Sequence, residues 1–139
     1  MKHPGYEYLE HTADVKIRSY GLNLSQAFEN MAKATTGVMT DVEKLKTHVT
    51  KRININSKNV ERLLYDFLDE IIYIMDTEEF LTAIAIVNIH GNSLSADLKG
   101  DYQNENQYEV HTYIKSVTMN DLKVMKKENL YILQVIHDI

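Results

Sequence analysis

Apolar residues recur at helical spacing in two stretches of the chain, which therefore predict two amphipathic helices. In the first stretch, Asn23 can cap the helix and Gln26, three positions later, can complete a capping box. Its apolar face comprises Leu24, Ala27, Phe28, Met31, Ala32, Thr35, Val38 and Met39. The second stretch has a wider apolar stripe, made of Val60, Leu63, Leu64, Phe67, Leu68, Ile71, Ile72, Ile74 and Met75. Asp66, Asp69 and Glu70 lie away from the centre of this stripe, as expected of a helix that buries one face.

Strand patterns fill most of the remaining chain. Residues 13–20, ADVKIRSY, alternate apolar and polar side chains, so this strand should bury one face and expose Asp14 on the other. Residues 80–89, FLTAIAIVNI, are nearly all apolar, as in a central strand, and should form a hairpin with 93–100. The other predicted strands are 48–55, 112–119 and 129–139.

Two polar stretches interrupt these patterns. Residues 100–109, GDYQNENQYE, lack periodicity and predict a loop, and residues 126–129, KKEN, predict a turn before the last strand. The predicted order is β-α-β-α-β-β-β-β. It favours an α+β fold, a two-layer α/β sandwich in which two helices cover one face of a largely antiparallel sheet.

Composition narrows the class of protein. A chain of 139 residues with 44% apolar and 25% charged residues is expected to form one globular domain, spanning residues 1–139. No apolar run reaches the roughly 18 residues that a membrane span needs, and the first residues lack the apolar core of a secretion signal. The absence of cysteine excludes disulfides and thiolate metal sites, and it favours a cytoplasmic location.

Charge bears on the class of partner. The chain has 15 Lys and Arg residues against 20 Asp and Glu residues, which gives a net charge of −5. Nucleic-acid binders usually present a basic surface, because contacts with phosphate supply much of their affinity. Tight, direct binding of RNA or DNA is therefore disfavoured, and a protein partner is the open alternative.

Several kinds of catalytic site find no support in the sequence. There is no cysteine and no G-x-S-x-G elbow for a nucleophile, and no P-loop or G-x-G-x-x-G for a nucleotide. The six histidines are scattered, at 3, 11, 48, 90, 111 and 137, and none forms an H-x-x-x-H pair on a predicted helix. A zinc site is therefore not favoured.

Carboxylates near the two ends of the chain are better candidates. Asp14 lies on the polar side of the first predicted strand, Asp138 is the penultimate residue of the last one, and Ile139 adds an α-carboxylate. Three carboxylates converge where these strands are neighbours, and hard oxygen ligands of this kind suit Ca²⁺ or Mg²⁺. The alternatives are a polar turn at Asp14 and a solvated, frayed end at Asp138. The strongly apolar last strand argues against fraying.

Five stretches, taken together and in this order, resemble the archease family. They are 6–17, YEYLEHTADVKI; 37–41, GVMTD; 63–80, LLYDFLDEIIYIMDTEEF; 114–118, IKSVT; and 137–139, HDI. The resemblance implies a compact α/β domain in which one strand–helix–strand–strand module is inserted into another. It also implies a protein that is not an enzyme but an activator of the GTP-dependent RNA ligase of tRNA splicing. Such an activator promotes guanylylation of the ligase and its multiple turnover.

The resemblance also implies a metal site. Its ligands would be Asp14, Asp138 and the terminal carboxylate of Ile139, with Ca²⁺ as the expected ion and Mg²⁺ or Mn²⁺ as alternatives. Two other activities stay open, namely a small metal-dependent phosphodiesterase or nuclease, and a general chaperone of RNA-processing enzymes.

Three further residues match polar positions that the family places close to this site. They are His11, Asp41 and Lys115. Each also has an ordinary structural alternative, because His11 can orient a turn, Asp41 can end the first helix, and Lys115 can be a solvated strand residue. Asn120 departs from the family, which typically has a histidine there, so any role of that histidine is in doubt.

Overall fold

The computed structural model describes residues 3–10, 13–106 and 108–139, without the side chains of 105 and 106. Seven strands, two long helices, one short helix and one 3₁₀ turn are assigned within this part of the chain. In chain order they are β1 (Gly5–Leu9), β2 (Asp14–Gly21), α1 (Leu24–Met39), the 3₁₀ turn (Val42–Lys44), β3 (Val49–Asn56), α2 (Val60–Glu78), β4 (Phe80–His90), β5 (Ser93–Tyr102), α3 (Gln103–Asn106), β6 (Ser116–Lys127) and β7 (Leu130–Asp138).

The strands form two sheets in which every pair of neighbours is antiparallel. One sheet has the order β1-β2-β7-β6, and the other has the order β3-β5-β4. The elements β3, α2, β4 and β5 form a complete strand–helix–strand–strand module between α1 and β6, and β2, α1, β6 and β7 form the second module around it. The predicted α+β fold and the inserted module are thus confirmed, with two sheets where periodicity alone indicated one.

Both long helices begin at an asparagine cap. The side chain of Asn23 accepts a hydrogen bond from the N–H of Gln26 at 2.8 Å, and the Gln26 side chain accepts one from the N–H of Leu22 at 2.6 Å. Asn59 caps α2 in the same way, through the N–H of Arg62. These contacts satisfy amide groups that a helix start otherwise leaves unpaired, so the predicted cap at Asn23 is confirmed.

The apolar faces of the two helices meet in one core. The rings of Phe28 in α1 and Phe67 in α2 are both fully buried, with centroids 5.6 Å apart. Helix α1 packs on β2 of its own module and on β4 of the inserted one. The carboxylate of Glu29 accepts a hydrogen bond from the N–H of Val87 at 2.8 Å. Helix α1 therefore pairs one backbone N–H of β4, an edge strand of the second sheet. No helix in the described ranges has both the length and the apolar character that crossing a membrane requires.

Two local predictions were wrong, and one strand was missed. Strand β1 was not predicted, and the loop predicted for 100–109 instead begins as the end of β5 and continues as α3. The strand predicted for 112–119 starts only at Ser116, and tertiary hydrogen bonds hold the chain just before the predicted strand. The N–H of His111 donates to the carbonyl of Met39, and the hydroxyl of Thr40 donates to the carbonyl of Glu109.

Candidate functional site

Asp14 and Asp138 face each other across two neighbouring strands. Asp14 is the first residue of β2, Asp138 is the last residue of β7, and the two are register partners. The Cβ atoms of directly opposed residues in an antiparallel pair lie about 4.5–5.5 Å apart. The structure therefore brings together the two aspartates that the sequence placed near opposite ends of the chain.

These aspartates lie on the side of the four-stranded sheet opposite α1, which we call the outer face. Strand alternation puts Asp14 in phase with Lys16 and Arg18, whereas the hydroxyl of Ser19, out of phase, donates to a carbonyl of α1. On β7, His137 points to α1, so Asp138 points the other way. The strand is assigned through Asp138, and the N–H of Lys115 donates to the Asp138 carbonyl at 2.7 Å.

Ser116 completes one row of side chains on the outer face. It is the register partner of Asp138 on β6, just as Asp14 is on β2. Two carboxylates and a hydroxyl therefore stand side by side at one end of the sheet. Like charges directly opposed on a sheet are destabilising, and a bound cation would relieve that repulsion.

The donor set fits a hard cation with an incomplete shell of protein ligands. Ca²⁺ takes six to eight oxygen ligands, and Mg²⁺ takes six and keeps several of its waters. No group of three His, Cys, Asp or Glu side chains suitable for a metal ion occurs among the residues that the structure describes. Asp14, Asp138 and Ser116 would thus leave most positions of such an ion to water, to a terminal carboxylate or to a partner.

The backbone immediately before Asp14 is strained. Ala13 has φ of +68°, in the left-handed region that costs an L-residue about 1–2 kcal/mol. Strain of this kind persists only where the surrounding structure imposes it, and it concentrates at functional sites.

Ile139 lies on the other side of the sheet from Asp138. Its half-buried side chain lines an open pocket of about 450 Å³ next to the C-terminal half of α1. The other lining residues are Tyr8, Leu9, Glu10, Asp14, Val15, Gly37, Val38 and Thr112. Asp14 borders this pocket, so the pocket and the aspartate row are adjacent.

Tyr8 forms one wall of this pocket. Its hydroxyl donates to the carbonyl of Ala34 at 2.9 Å, and a Cβ at Gly37 would lie only 2.6 Å from that hydroxyl oxygen. A glycine at position 37 therefore lets the ring approach α1. Burial raises the pKa of Tyr8 to about 12, and neighbouring Tyr6 adds to the increase.

His137 anchors the end of β7 to α1. Its Nε2 lies 2.9 Å from the hydroxyl oxygen of Thr35, and both residues are fully buried. Burial lowers the pKa of His137 to about 4, so the imidazole is neutral at pH 7. Its Nδ1 is buried without a hydrogen-bond partner in the described structure.

The three residues matched to polar positions of the family, Lys115, Asp41 and His11, differ in where they lie. Lys115 is exposed next to the row, held there by its backbone hydrogen bond to Asp138. Asp41 precedes the 3₁₀ turn, and its carboxylate lies 3.9 Å from the Lys44 ammonium. His11 lies outside the described residues. Asn120 is exposed in an irregular part of β6.

Sequence reasoning missed Ser116 and Tyr8. Counting back along a regular β6–β7 hairpin from Lys127 and Leu130 places Met119 opposite Asp138, but a bulge moves the pairing by three positions to Ser116. Nothing in the sequence pattern announces that bulge. The Tyr-x-Tyr alternation of residues 6–8 did contain a signal for a strand with both rings on one face.

Comparison with known proteins gives consistent matches. The archease protein family (MTH1598/TM1083) matches residues 6–139. The chain is 37% identical to the protein archease of Sulfurisphaera tokodaii, covering 96% of this chain and 98% of the relative. It is 33% identical to the protein archease of Methanosarcina barkeri, covering 96% and 95%.

Solved structures agree with these matches. The solution structure of protein 1598 of Methanobacterium thermoautotrophicum has a TM-score of 0.80 and 30% identity, covering 97% of this chain and 99% of that one. The crystal structure of a Thermotoga maritima archease, described as a possible chaperone, has a TM-score of 0.60 and 17% identity. That match covers 100% of this chain and 98% of the other, and it shows a shared fold.

Proposed function

The chain belongs to the archease family, and we propose that it is a non-enzymatic activator of the GTP-dependent RNA ligase of tRNA splicing. In this role it promotes guanylylation of the ligase and lets each ligase molecule turn over many times, in the cytoplasm. The observation that carries the proposal is the pairing of Asp14 with Asp138 at one end of the sheet. The match of residues 6–139 to the archease family supports the proposal, because the resemblance to that family implies the activator role.

We assign the aspartate row to a divalent cation, with Ca²⁺ as the expected ion and Mg²⁺ or Mn²⁺ as alternatives. Asp14 and Asp138 would be its ligands, and Ser116 could add a hydroxyl oxygen. In a chain that ends at Ile139, the terminal carboxylate can turn towards the same ion. The two positive charges of the ion would offset two of the three carboxylate charges, so the row would stay negative.

The residues of the row would contribute by holding the ion at a fixed place. Strand pairing on both sides fixes the main chain of Asp138, and the bond from the Lys115 N–H fixes its carbonyl. An ion held here would keep coordination positions that oxygen atoms of the ligase can fill. Such a shared ion would orient the two proteins relative to each other, while the chain itself needs no nucleophile or base.

The rival activities find less support. Two-metal phosphoryl chemistry clusters carboxylates around a pair of ions about 3.5–4 Å apart. Among the residues that the structure describes, Asp14 and Asp138 are the only carboxylate side chains in the row. A general chaperone role is the second candidate, because one relative of the same fold is described as a possible chaperone. The chaperone and the activator each require a protein partner, but only the activator changes the chemistry of the ligase.

A guanylylation assay tests the proposal. Limiting RNA ligase is incubated with GTP and Mn²⁺, with or without this chain, and both the guanylylated ligase and the joined RNA are quantified. We expect stimulation by the wild type, loss of stimulation with Asp14→Asn, and full stimulation with Asp69→Asn, a matched change at an exposed aspartate of α2. Equal yields with and without the wild-type chain would refute the activator role.

Incubating the chain alone with RNA tests the enzymatic alternative. The purified chain should release no cleavage product in Mg²⁺ or Mn²⁺. Cleavage that disappears in Asp14→Asn would instead establish the phosphodiesterase.

A further inference from the structure

The outer face carries charge of opposite sign at its two ends. Its first row holds Asp14 and Asp138, and the rows that follow along β2 hold Lys16, Arg18 and then Tyr20. On β6, the residues that share this face beyond the bulge are Lys123, Met125 and Lys127. The face therefore runs from a carboxylate end to a basic end.

One carboxylate lies at the basic end, since Glu7 of β1 is the register partner of Arg18 and accepts a hydrogen bond from the Tyr20 hydroxyl at 3.1 Å. None of the five basic residues in the four-stranded sheet forms an ion pair with a carboxylate in the described structure. They are Lys16, Arg18, Lys123, Lys126 and Lys127. Elsewhere, Lys33, Lys51, Arg52 and Arg62 each lie 2.6–3.1 Å from a carboxylate oxygen. Lysines and an arginine that form no ion pair in the described structure therefore line this sheet in a chain whose net charge is −5, although Lys46, Lys58 and Lys99 elsewhere also form none.

A pocket of about 600 Å³ lies within the basic end. It is lined by Arg18, Tyr20, Met125, Lys126, Lys127 and Ile132. Met125 is 40% exposed, although it is apolar and stands between lysines. An apolar floor with a cationic rim fits a segment that carries both an apolar side chain and carboxylates.

The residues beneath the charged side chains of the basic end are buried and hydrogen-bonded. Arg18 donates to the Gln134 side chain at 2.6 Å, and the Gln134 amide donates to the carbonyl of Asp121 in the bulge at 2.9 Å. Gln134 is 1% exposed and Tyr20 is 3% exposed, so both are fixed beneath the charged side chains. A surface organised before binding loses less entropy when a partner docks.

The two ends are close enough to fall under one interface. Asp14 and Tyr20 are six residues apart on β2, which corresponds to about 20 Å along the strand. A standard interface buries about 800 Å² on each partner, or a patch about 30 Å across. The Debye length is only about 8 Å at physiological ionic strength, so each end keeps its own sign towards a partner.

We propose that the outer face is the docking surface for the protein partner. The partner would place a basic or metal-coordinating region on Asp14 and Asp138, and an acidic segment with an apolar side chain in the basic pocket. Opposite charges at the two ends allow only one orientation, since a reversed partner meets like charge at both ends. Nucleic acid is the poorer occupant, because a uniformly negative backbone that contacts the lysines along this face is repelled at the aspartates.

The identity of the partner rests on the proposed function, and here it is the RNA ligase. The test variant is Lys123→Glu with Lys127→Glu, since both side chains are exposed and neither has an ion-pair partner in the described structure. The control is Lys58→Glu with Lys99→Glu, the same change of net charge on the inserted module. Ligase activation is titrated with each protein at two salt concentrations.

We expect the test variant to need at least tenfold more protein for half-maximal activation, with an unchanged plateau and a weaker dependence on salt. The control should match the wild type. Equal titrations for the two variants would overturn the docking surface while leaving the activator role intact. A wild type that does not activate at all would overturn both. Where the double variant fails to fold, Lys127→Glu against Lys58→Glu gives the same comparison.

A single-stranded RNA of 20 nucleotides with a fluorescent label separates the two classes of partner. Fluorescence anisotropy should show no binding by the wild type at concentrations that saturate ligase activation. RNA binding that is lost in the Lys123→Glu, Lys127→Glu variant would overturn the assignment to a protein partner.

Discussion

Replacing Asp138 by asparagine separates the electrostatic repulsion within the aspartate row from its proposed role in binding a metal ion. Asp138 and Asp14 are opposed at a Cβ distance of about 5 Å. Two unit charges at that distance repel by about 0.8 kcal/mol in bulk water and by about 3 kcal/mol at an effective dielectric constant of 20. Both side chains are half-exposed, so the lower end applies, at about 1 kcal/mol. Asparagine keeps the shape of the side chain and removes the charge.

The variant should be more stable than the wild type without metal and less stable than the wild type with metal. In a chelator, Asp138→Asn should raise the free energy of unfolding by about 1 kcal/mol, which is about 3–5 °C in Tm for a chain of this size. In Ca²⁺ at 100 times its Kd, the wild type should gain about 2.7 kcal/mol and the variant much less. The order of the two melting temperatures should therefore reverse.

Differential scanning calorimetry in EGTA and in a Ca²⁺ series measures both effects. Asp69→Asn is the control, because it removes an exposed carboxylate of α2 away from the row. Equal Tm shifts by Ca²⁺ in wild type and Asp138→Asn would refute the assignment of Asp138 as a ligand. A variant that is less stable than wild type in EGTA would show that repulsion does not dominate the row.

Three further predictions concern the fold around the site. Because the pKa of His137 is about 4 in the folded chain and about 6.5 when unfolded, the unfolded state binds more protons between these values, so stability should fall from pH 6.5 to pH 4 by up to about 1.4 kcal/mol per unit. Urea unfolding at pH 7 and pH 5 should show a smaller loss in His137→Gln, and an equal loss would contradict this account. Glu79 ends α2 with φ of +56°, so Glu79→Gly should stabilise by about 1 kcal/mol in urea unfolding, and a destabilised variant would argue against backbone strain there. Gly37→Ala should gain about 1 kcal/mol of helix propensity only when Tyr8→Phe removes the hydroxyl that its Cβ would meet; a double-mutant cycle measures this coupling, and additive effects would exclude it.

The sequence predicted the parts of the fold that depend on local periodicity. Both helices and the cap at Asn23 follow from residues within one or two turns of each other, so no distant contact was needed to find them. Alternation along β2 also put Asp14 on the face of Lys16 and Arg18, which is the face where the structure places it. The inserted module could be assigned only through the family resemblance, because periodicity does not reveal which strands pair.

The bulge in β6 shows why the rest of the site could not be predicted. Between Thr118 and Lys123, four residues of β6 stand opposite a single residue of β7, and Asp121 takes a positive φ there. The shift of three positions is odd, so it exchanges the faces of all residues before the bulge. Ser116 reaches the row of Asp14 only through this exchange. The hydrogen bond from Gln134 to the carbonyl of Asp121 holds the bulge, and that contact is not local in sequence.

An incomplete ligand set makes sense for an activator. A site that filled every coordination position from its own chain would hold its ion equally well with or without a partner. Asp14 and Asp138 leave positions that a partner can fill, so binding of the ion and binding of the partner would be coupled. By linkage, the factor by which the partner tightens the ion is also the factor by which the ion tightens the partner. The basic pocket, about 20 Å away, would add affinity independent of the ion. Removing Ca²⁺ should therefore weaken the complex without abolishing its salt dependence. Reversing the charges of Lys123 and Lys127 by substitution with glutamate should reduce the salt dependence even when Ca²⁺ saturates the site.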